Sequence, residues 1–200
     1  MLIEFEKTPN GWTTQQRSDI CFYHDDGSLE HSRWGYVTYE KEDKTYLQFH
    51  TYRKIDDELV ENIKGRADRK DKALVISYQK PSPRTLSLSQ EIFFPVQHLT
   101  SLLTAAQQGE KVFSRLVFDG SASAGPSEVN TFIGTKKKST DDILKAQTTH
   151  QLAHQPFWPV RFAVYGYEKK GYAPLYTTTQ DLLPNGIIKQ YVIDYGSFKV

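Results

Sequence analysis

The stretch Phe93-Phe94-Pro95-Val96-Gln97-His98-Leu99-Thr100-Ser101-Leu102-Leu103-Thr104-Ala105-Ala106-Gln107-Gln108-Gly109 decides how the chain is read. It is the one convincing helix in a sequence that otherwise reads as strands and turns. Pro95 suits a first helical position, where its missing N–H has no partner to lose. Val96, Leu99, Leu102, Leu103 and Ala106 recur at helical spacing and make one apolar stripe. Gly109 supplies the stop, because glycine adopts the left-handed C-cap conformation at least cost. The stripe is too short to span a bilayer, which takes about 20 apolar residues. It must bury itself against the flanking β material, as core or as lid, and core is the expectation.

Composition bounds the rest. Two hundred residues with 38% hydrophobic content support one core. With 25 basic and 24 acidic residues the net charge is +1, so no global field favours nucleic acid or an anionic membrane. The single cysteine, Cys21, excludes an intrachain disulfide and any multi-cysteine metal site within these residues. Met1 leads almost directly into strand-like Leu2-Ile3-Glu4-Phe5-Glu6, with no basic segment and no apolar signal core. This fits a cytosolic protein, or a mature or trimmed form whose export signal is absent. Tyr and Phe, at 12 and 11, favour half-buried sheet faces.

Ahead of the helix, alternation predicts strands over 12–24 and 29–40 around the turn Asp25-Asp26-Gly27-Ser28. Glu40-Lys41-Glu42-Asp43-Lys44 reads as a charged loop. Strands over 45–53, 58–68 and 73–79 follow, turning at Asp56-Asp57 and around Arg69-Lys70-Asp71-Lys72. Pro81-Ser82-Pro83 interrupts pairing, and residues 85–94 lead into the helix. Beyond it come strands over 111–118 and 128–133, separated by the small-residue loop of residues 119–126. Residues 135–156 are polar without a sustained strand period and are expected to form a mobile excursion. A hairpin over 160–167 and 172–183, the turn Pro184-Asn185-Gly186 and a closing strand over 187–200 complete the chain. No linker divides it, so residues 1–200 read as one β-rich domain. The expected fold is mainly β: a large, curved antiparallel sheet, a spiral or barrel-like meander, with one packed α-helix near residues 95–108.

No catalytic, metal or cofactor constellation emerges. Asp119-Gly120-Ser121 lacks the Gly-x-Ser-x-Gly spacing of a nucleophile elbow and reads as a turn. The Gly120–Gly125 loop is not followed by Gly-Lys-Ser/Thr and leads to a strand, unlike a P-loop. His150 and His154 are four apart but have no Glu between them, and they read as loop histidines. His24 and His31 flank the first turn as surface residues, and His98 reads as a boundary residue of the helix. Lys136-Lys137-Lys138 beside Asp141-Asp142 reads as a solvated loop. The aspartate pairs sit in turns, where they hydrogen-bond nearby backbone. Tyr165, Tyr167, Tyr172 and Tyr176 could stack on sugars or bind a peptide, although strands are commonly tyrosine-rich.

Five strings in order carry a resemblance. Gly11-Trp12-Thr13-Thr14-Gln15-Gln16-Arg17 is similar to an early Gly-Trp-Thr…Gln-Arg block, and Phe94-Pro95-Val96-Gln97-His98 to a Phe-Pro-Thr…His entry into a helix. Phe118-Asp119-Gly120 and Glu128-Val129-Asn130 resemble a Phe-Asp-Gly…Glu-Val-Asn loop and strand. Trp158-Pro159-Val160 and Leu183-Pro184-Asn185-Gly186…Asp194-Tyr195-Gly196-Ser197-Phe198 match the last blocks. Together they resemble the EipB-like cell-envelope integrity proteins of alphaproteobacteria. The resemblance implies a periplasmic protein with a spiral, barrel-like sheet, no established catalytic activity and an envelope-maintaining role through binding; no cofactor is expected. Its candidate binding or motif residues are Trp12, Gln16, Arg17, Phe118, Asp119, Gly120, Glu128, Asn130, Trp158, Asp194 and Tyr195. The family's cysteine two residues before the early glycine is replaced by Pro9, so the disulfide the resemblance implies cannot form here. The chain also reads as short at both ends relative to the family.

The implied partner is an envelope protein or a lipid or glycan component. An alternative is a lipid or lipoprotein-segment carrier with the helix as lid, over a dry cavity lined by residues such as Leu99, Leu103 and Phe118. An envelope hydrolase near Asp119, Ser121 and His98 is the least favoured.

Overall fold

The computed structural model describes residues 2–71, 73–89, 91–138, 155–167 and 173–196. The expected excursion at 135–156 falls for the most part, from residue 139 to 154, outside the described residues, as do His150 and His154.

The strands before the helix are β1 (Leu2–Thr8), β2 (Gly11–Tyr23), β3 (Leu29–Lys41), β4 (Tyr46–Ile55), β5 (Glu58–Lys70), β6 (Ala73–Lys80), β7 (Arg84–Leu88) and β8 (Ile92–Phe93). The helix α1 covers Pro95–Gln107. It is followed by β9 (Val112–Val117), β10 (Ser127–Ile133), β11 (Trp158–Gly166), β12 (Tyr176–Leu182) and β13 (Ile188–Asp194). The mainly-β, antiparallel organisation with one helix is as the sequence implies, with the strands shared between two sheets. The chain falls into two compact units, one within residues 1–96 and 118–126, the other within 97–117 and 127–200.

In the first unit β1 to β7 form an antiparallel meander in which sequence neighbours are spatial neighbours. Period-2 alternation sorts the faces: Tyr36, Thr38 and Glu40 on β3, Leu47, Phe49 and Thr51 on β4, and Leu74, Ile76 and Tyr78 on β6 are buried. Phe49 is the centre of this face, edge-on to Phe118 at 5.2 Å and to Tyr78 at 5.7 Å between centroids.

The loop from Phe118 to Pro126 belongs to this unit and is anchored by the sheet. Tyr36 Oη donates to the Asp119 carbonyl at 3.0 Å and Thr51 Oγ1 to the Gly120 carbonyl at 3.1 Å. Phe118 N–H donates to the Phe93 carbonyl at 2.9 Å. Gly120 is held at φ +77°, and a Cβ on it would overlap the Phe49 ring.

In the second unit β9 to β13 also follow one another as antiparallel neighbours, with Phe113, Val129, Ile133, Val160, Val164 and Leu182 buried. From Gln97 onward α1 belongs here; Leu102, Ala105 and Ala106 are buried, whereas Leu99 and Leu103 are half-buried beside Gly186 of the β12–β13 turn. The stripe is core. Its end is a Schellman cap: Glu110 N–H reaches the Ala105 carbonyl at 3.0 Å and Gly109 N–H the Ala106 carbonyl at 3.2 Å.

Replacing Gly120 by Ala adds both a positive-φ penalty and a clash with the buried Phe49 ring. The expected loss is about 3 kcal/mol or more, read as a fall in the urea midpoint; Ser121→Ala, at the next residue of the same loop, should lose about 1 kcal/mol or less.

Candidate functional site

Glu40 is where the structure departs most from the sequence reading. Instead of opening a charged loop, it is the last inward residue of β3, only 2% exposed. Its Oε2 accepts the Val96 backbone N–H at 2.7 Å. The first turn of α1 contains no acidic residue of its own, and Phe94, which precedes it, has no side-chain acceptor. A carboxylate from 56 positions upstream therefore takes an orphan donor of the helix and meets the positive end of its dipole.

The surroundings complete this corner. Arg69, assigned to a turn by the sequence reading, lies within β5; its Nη2 donates to the Ile92 carbonyl at 2.6 Å and its Nε to the Lys44 carbonyl at 3.2 Å. Its guanidinium lies 5.2 Å from the Phe94 ring centroid. Burial pulls the Arg69 pKa down, opposed by the charges of Glu91 and Glu40. Gly11 is needed at this corner because a Cβ on it would overlap the Glu40 carbonyl. A groove of about 430 Å³ opens nearby, lined by Tyr39, Lys41, Thr45, Tyr46, Asp68, Arg69 and Lys70.

In the second unit the polar residue that matters is His98. It is buried rather than at a boundary, with its ring 5.5 Å from that of Phe113 and 6.2 Å from that of Phe162. Burial, and secondarily the Arg115 charge, lowers its pKa from 6.5 to about 4. The imidazole is neutral at pH 7.

The motif residues do local structural work. Trp12 pairs in register with Glu40, stacks on Phe5 at 4.9 Å and carries Lys7 Nζ 4.7 Å above its ring. Gln16 pairs with Tyr36 and Arg17 with Gly35 along β2. Asp119 Oδ1 accepts from Ser121 N at 2.8 Å and Ser121 Oγ at 2.7 Å, closing a turn. Asn130 Nδ2 donates to Glu128 Oε1 at 3.3 Å on β10. Trp158 is buried under Lys136, whose Nζ is 4.4 Å above the ring. Asp194 Oδ1 accepts from Gly196 N at 2.9 Å, and Tyr195 meets Tyr176 at 5.7 Å.

Phe118, Asp119 and Gly120 share the first unit with Trp12, Gln16 and Arg17, whereas Glu128, Asn130, Trp158, Asp194 and Tyr195 fall in the second. Asp119 and Ser121, proposed beside His98 for a hydrolase, satisfy each other. Among the described residues no cluster of three His, Cys, Asp or Glu side chains is placed to hold a metal ion. Glu40 was missed although its signal was present: Tyr36, Thr38 and Glu40 are in phase, and the strand period runs through the charge.

The EipB-like family model matches residues 1–200. The chain belongs to the EipB-like family. It is 28% identical over 165 residues to the cell envelope integrity protein EipB of Brucella abortus (strain 2308), covering 82% of this chain. The chain spans 58% of the length of that relative. A crystal structure of a β-barrel-like protein of domain of unknown function DUF1849 from Brucella abortus superposes with a TM-score of 0.88 at 27% identity. That alignment covers 98% of this chain and 81% of the other. No helix among the described residues is long and apolar enough to cross a membrane.

Two measurements test the buried polar groups. Glu40→Ala strips the N-terminal acceptor from α1 and should cost about 2–3 kcal/mol by denaturant unfolding, with Glu40→Gln recovering part of it. For His98, the unfolded state binds more protons than the folded state between pH 6.5 and about 4. Stability should therefore fall as pH drops through that window, by on the order of 3 kcal/mol in all. His98→Leu should flatten that part of the stability–pH curve.

Proposed function

We propose that this protein acts in the periplasm as a non-catalytic binding protein that helps maintain the cell envelope. The observation that carries the reading is the match to a cell envelope integrity protein along 82% of the chain. The geometry supports the non-catalytic part of it. Glu40 faces a helix terminus, Asp119 closes its own turn and His98 is enclosed by aromatic rings. A catalytic group has to reach substrate in a cleft, whereas Glu40 and His98 are buried and the Asp119 carboxylate is taken up by its own turn.

For the binding surface the first sheet offers β1. Its outer edge has no partner strand among the described residues, and Leu2, Ile3 and Phe5 are 53%, 41% and 48% exposed. An extended segment of an envelope protein could add there as a further strand, with backbone hydrogen bonds giving affinity and Ile3 and Phe5 giving contact on one face.

Complementation of a deletion strain under detergent or cell-wall stress tests both parts. Ile3→Lys with Phe5→Lys should fold normally and lose rescue, while Asp119→Asn and His98→Gln variants that remain folded should keep it. Loss of rescue in a folded Asp119→Asn or His98→Gln protein, with the β1 variant still active, would overturn the reading in favour of an enzyme.

A further inference from the structure

We infer that the second unit contains a buried binding site for one water molecule, bridging His98 Nε2 on α1 and Thr131 Oγ1 on β10. The inference stands on geometry within that unit and is independent of the proposed binding role. Thr131 is fully buried and His98 is 9% exposed, and neither His98 Nε2 nor Thr131 Oγ1 has a hydrogen-bond partner among the described residues. Buried polar atoms in native proteins are nearly always satisfied by protein or by ordered water.

The register and the ring contacts place His98 and Thr131 against the same two phenylalanines. Thr131 lies directly between Phe113 on β9 and Phe162 on β11. Directly opposed residues of antiparallel strands point to the same face, so both rings flank the threonine side chain. The His98 imidazole is in ring contact with both phenylalanines, at 5.5 and 6.2 Å between centroids. It therefore meets both rings that flank Thr131, yet the two side chains do not hydrogen-bond directly.

Water is the ligand whose chemistry fits. The imidazole is neutral at pH 7, so Nε2 either accepts or donates according to tautomer, and the hydroxyl can do either. Water complements every combination. A cation is disfavoured by the Arg115 charge, the charged group that acts on His98, and an anion by the two phenylalanine rings around the site. The bridge ties one setting of the helix to one rung of the sheet, a directional link that Leu102 and Ala106 cannot supply because apolar packing has no polarity.

Two measurements on the full chain decide it. In a crystal structure at 1.5 Å or better, as an order-of-magnitude requirement for ordered solvent, a density peak should lie within hydrogen-bond distance of both atoms and refine as water. By NMR, Thr131→Val should shift the His98 ring ¹⁵Nε2 resonance while leaving the backbone spectrum folded, and Thr131→Ser should keep it near its original position. An absent peak, a direct His98–Thr131 bond, a ligand other than water, or an unmoved Nε2 resonance in a folded Thr131→Val protein would each overturn the site.

Discussion

The hydrogen bond from the Val96 backbone N–H to the Glu40 carboxylate is the constraint on which the first unit and the start of the helix depend. A carboxylate that is 2% exposed is costly unless its charge is answered. Here three answers coincide: an N–H that the helix cannot satisfy itself, the positive end of the helix dipole, and the nearby Arg69 guanidinium. Each term alone is modest. Together they fix the point at which the chain stops being strand and becomes helix, and so the path from β8 into α1.

Several of the motif residues gather on the same sheet. Gly11 lets β2 pass against the Glu40 backbone, and Trp12 covers the same rung. Phe118 and Gly120 return the chain to the same sheet, the first as an aromatic partner of Phe49 and the second as the residue that leaves room for it. Asp119 between them contributes its carbonyl to Tyr36 and its carboxylate to the turn. In this chain these residues shape the backbone of the turn and of the strands beside it.

The elements that sequence revealed well are those decided by short-range physics. Helix α1 was predicted to end at Gln108 and ends at Gln107, because its stripe, proline and glycine are all local signals. The strand alternation was equally legible from β2 to β6. What was hidden depends on residues far apart in the chain. Glu40 was grouped with its charged neighbours, and only Val96, 56 positions on, shows why a charge is tolerated there. Arg69 was read from the turn that follows it, whereas its role is set by the Ile92 and Lys44 carbonyls. His98 was placed at a boundary because the helical stripe alone does not reveal Phe113 and Phe162. The division into two sheets was also illegible, since a meander pattern looks the same whether or not one ladder continues into the next.

Helix α1 carries this distinction along its own length. At its first turn a polar demand is met by an acidic residue placed there by β3; at His98 another polar group is enclosed by aromatic rings with no protein partner among the described residues for its Nε2. Catalysis asks for the opposite arrangement, in which a titratable group is desolvated on one side and open to a reactant on the other. A group enclosed on every side can only set geometry, and changing its charge acts through stability. The polar side chain of His98 is therefore directed inward, into its own unit, whereas on the edge strand β1 Leu2, Ile3 and Phe5 expose apolar area.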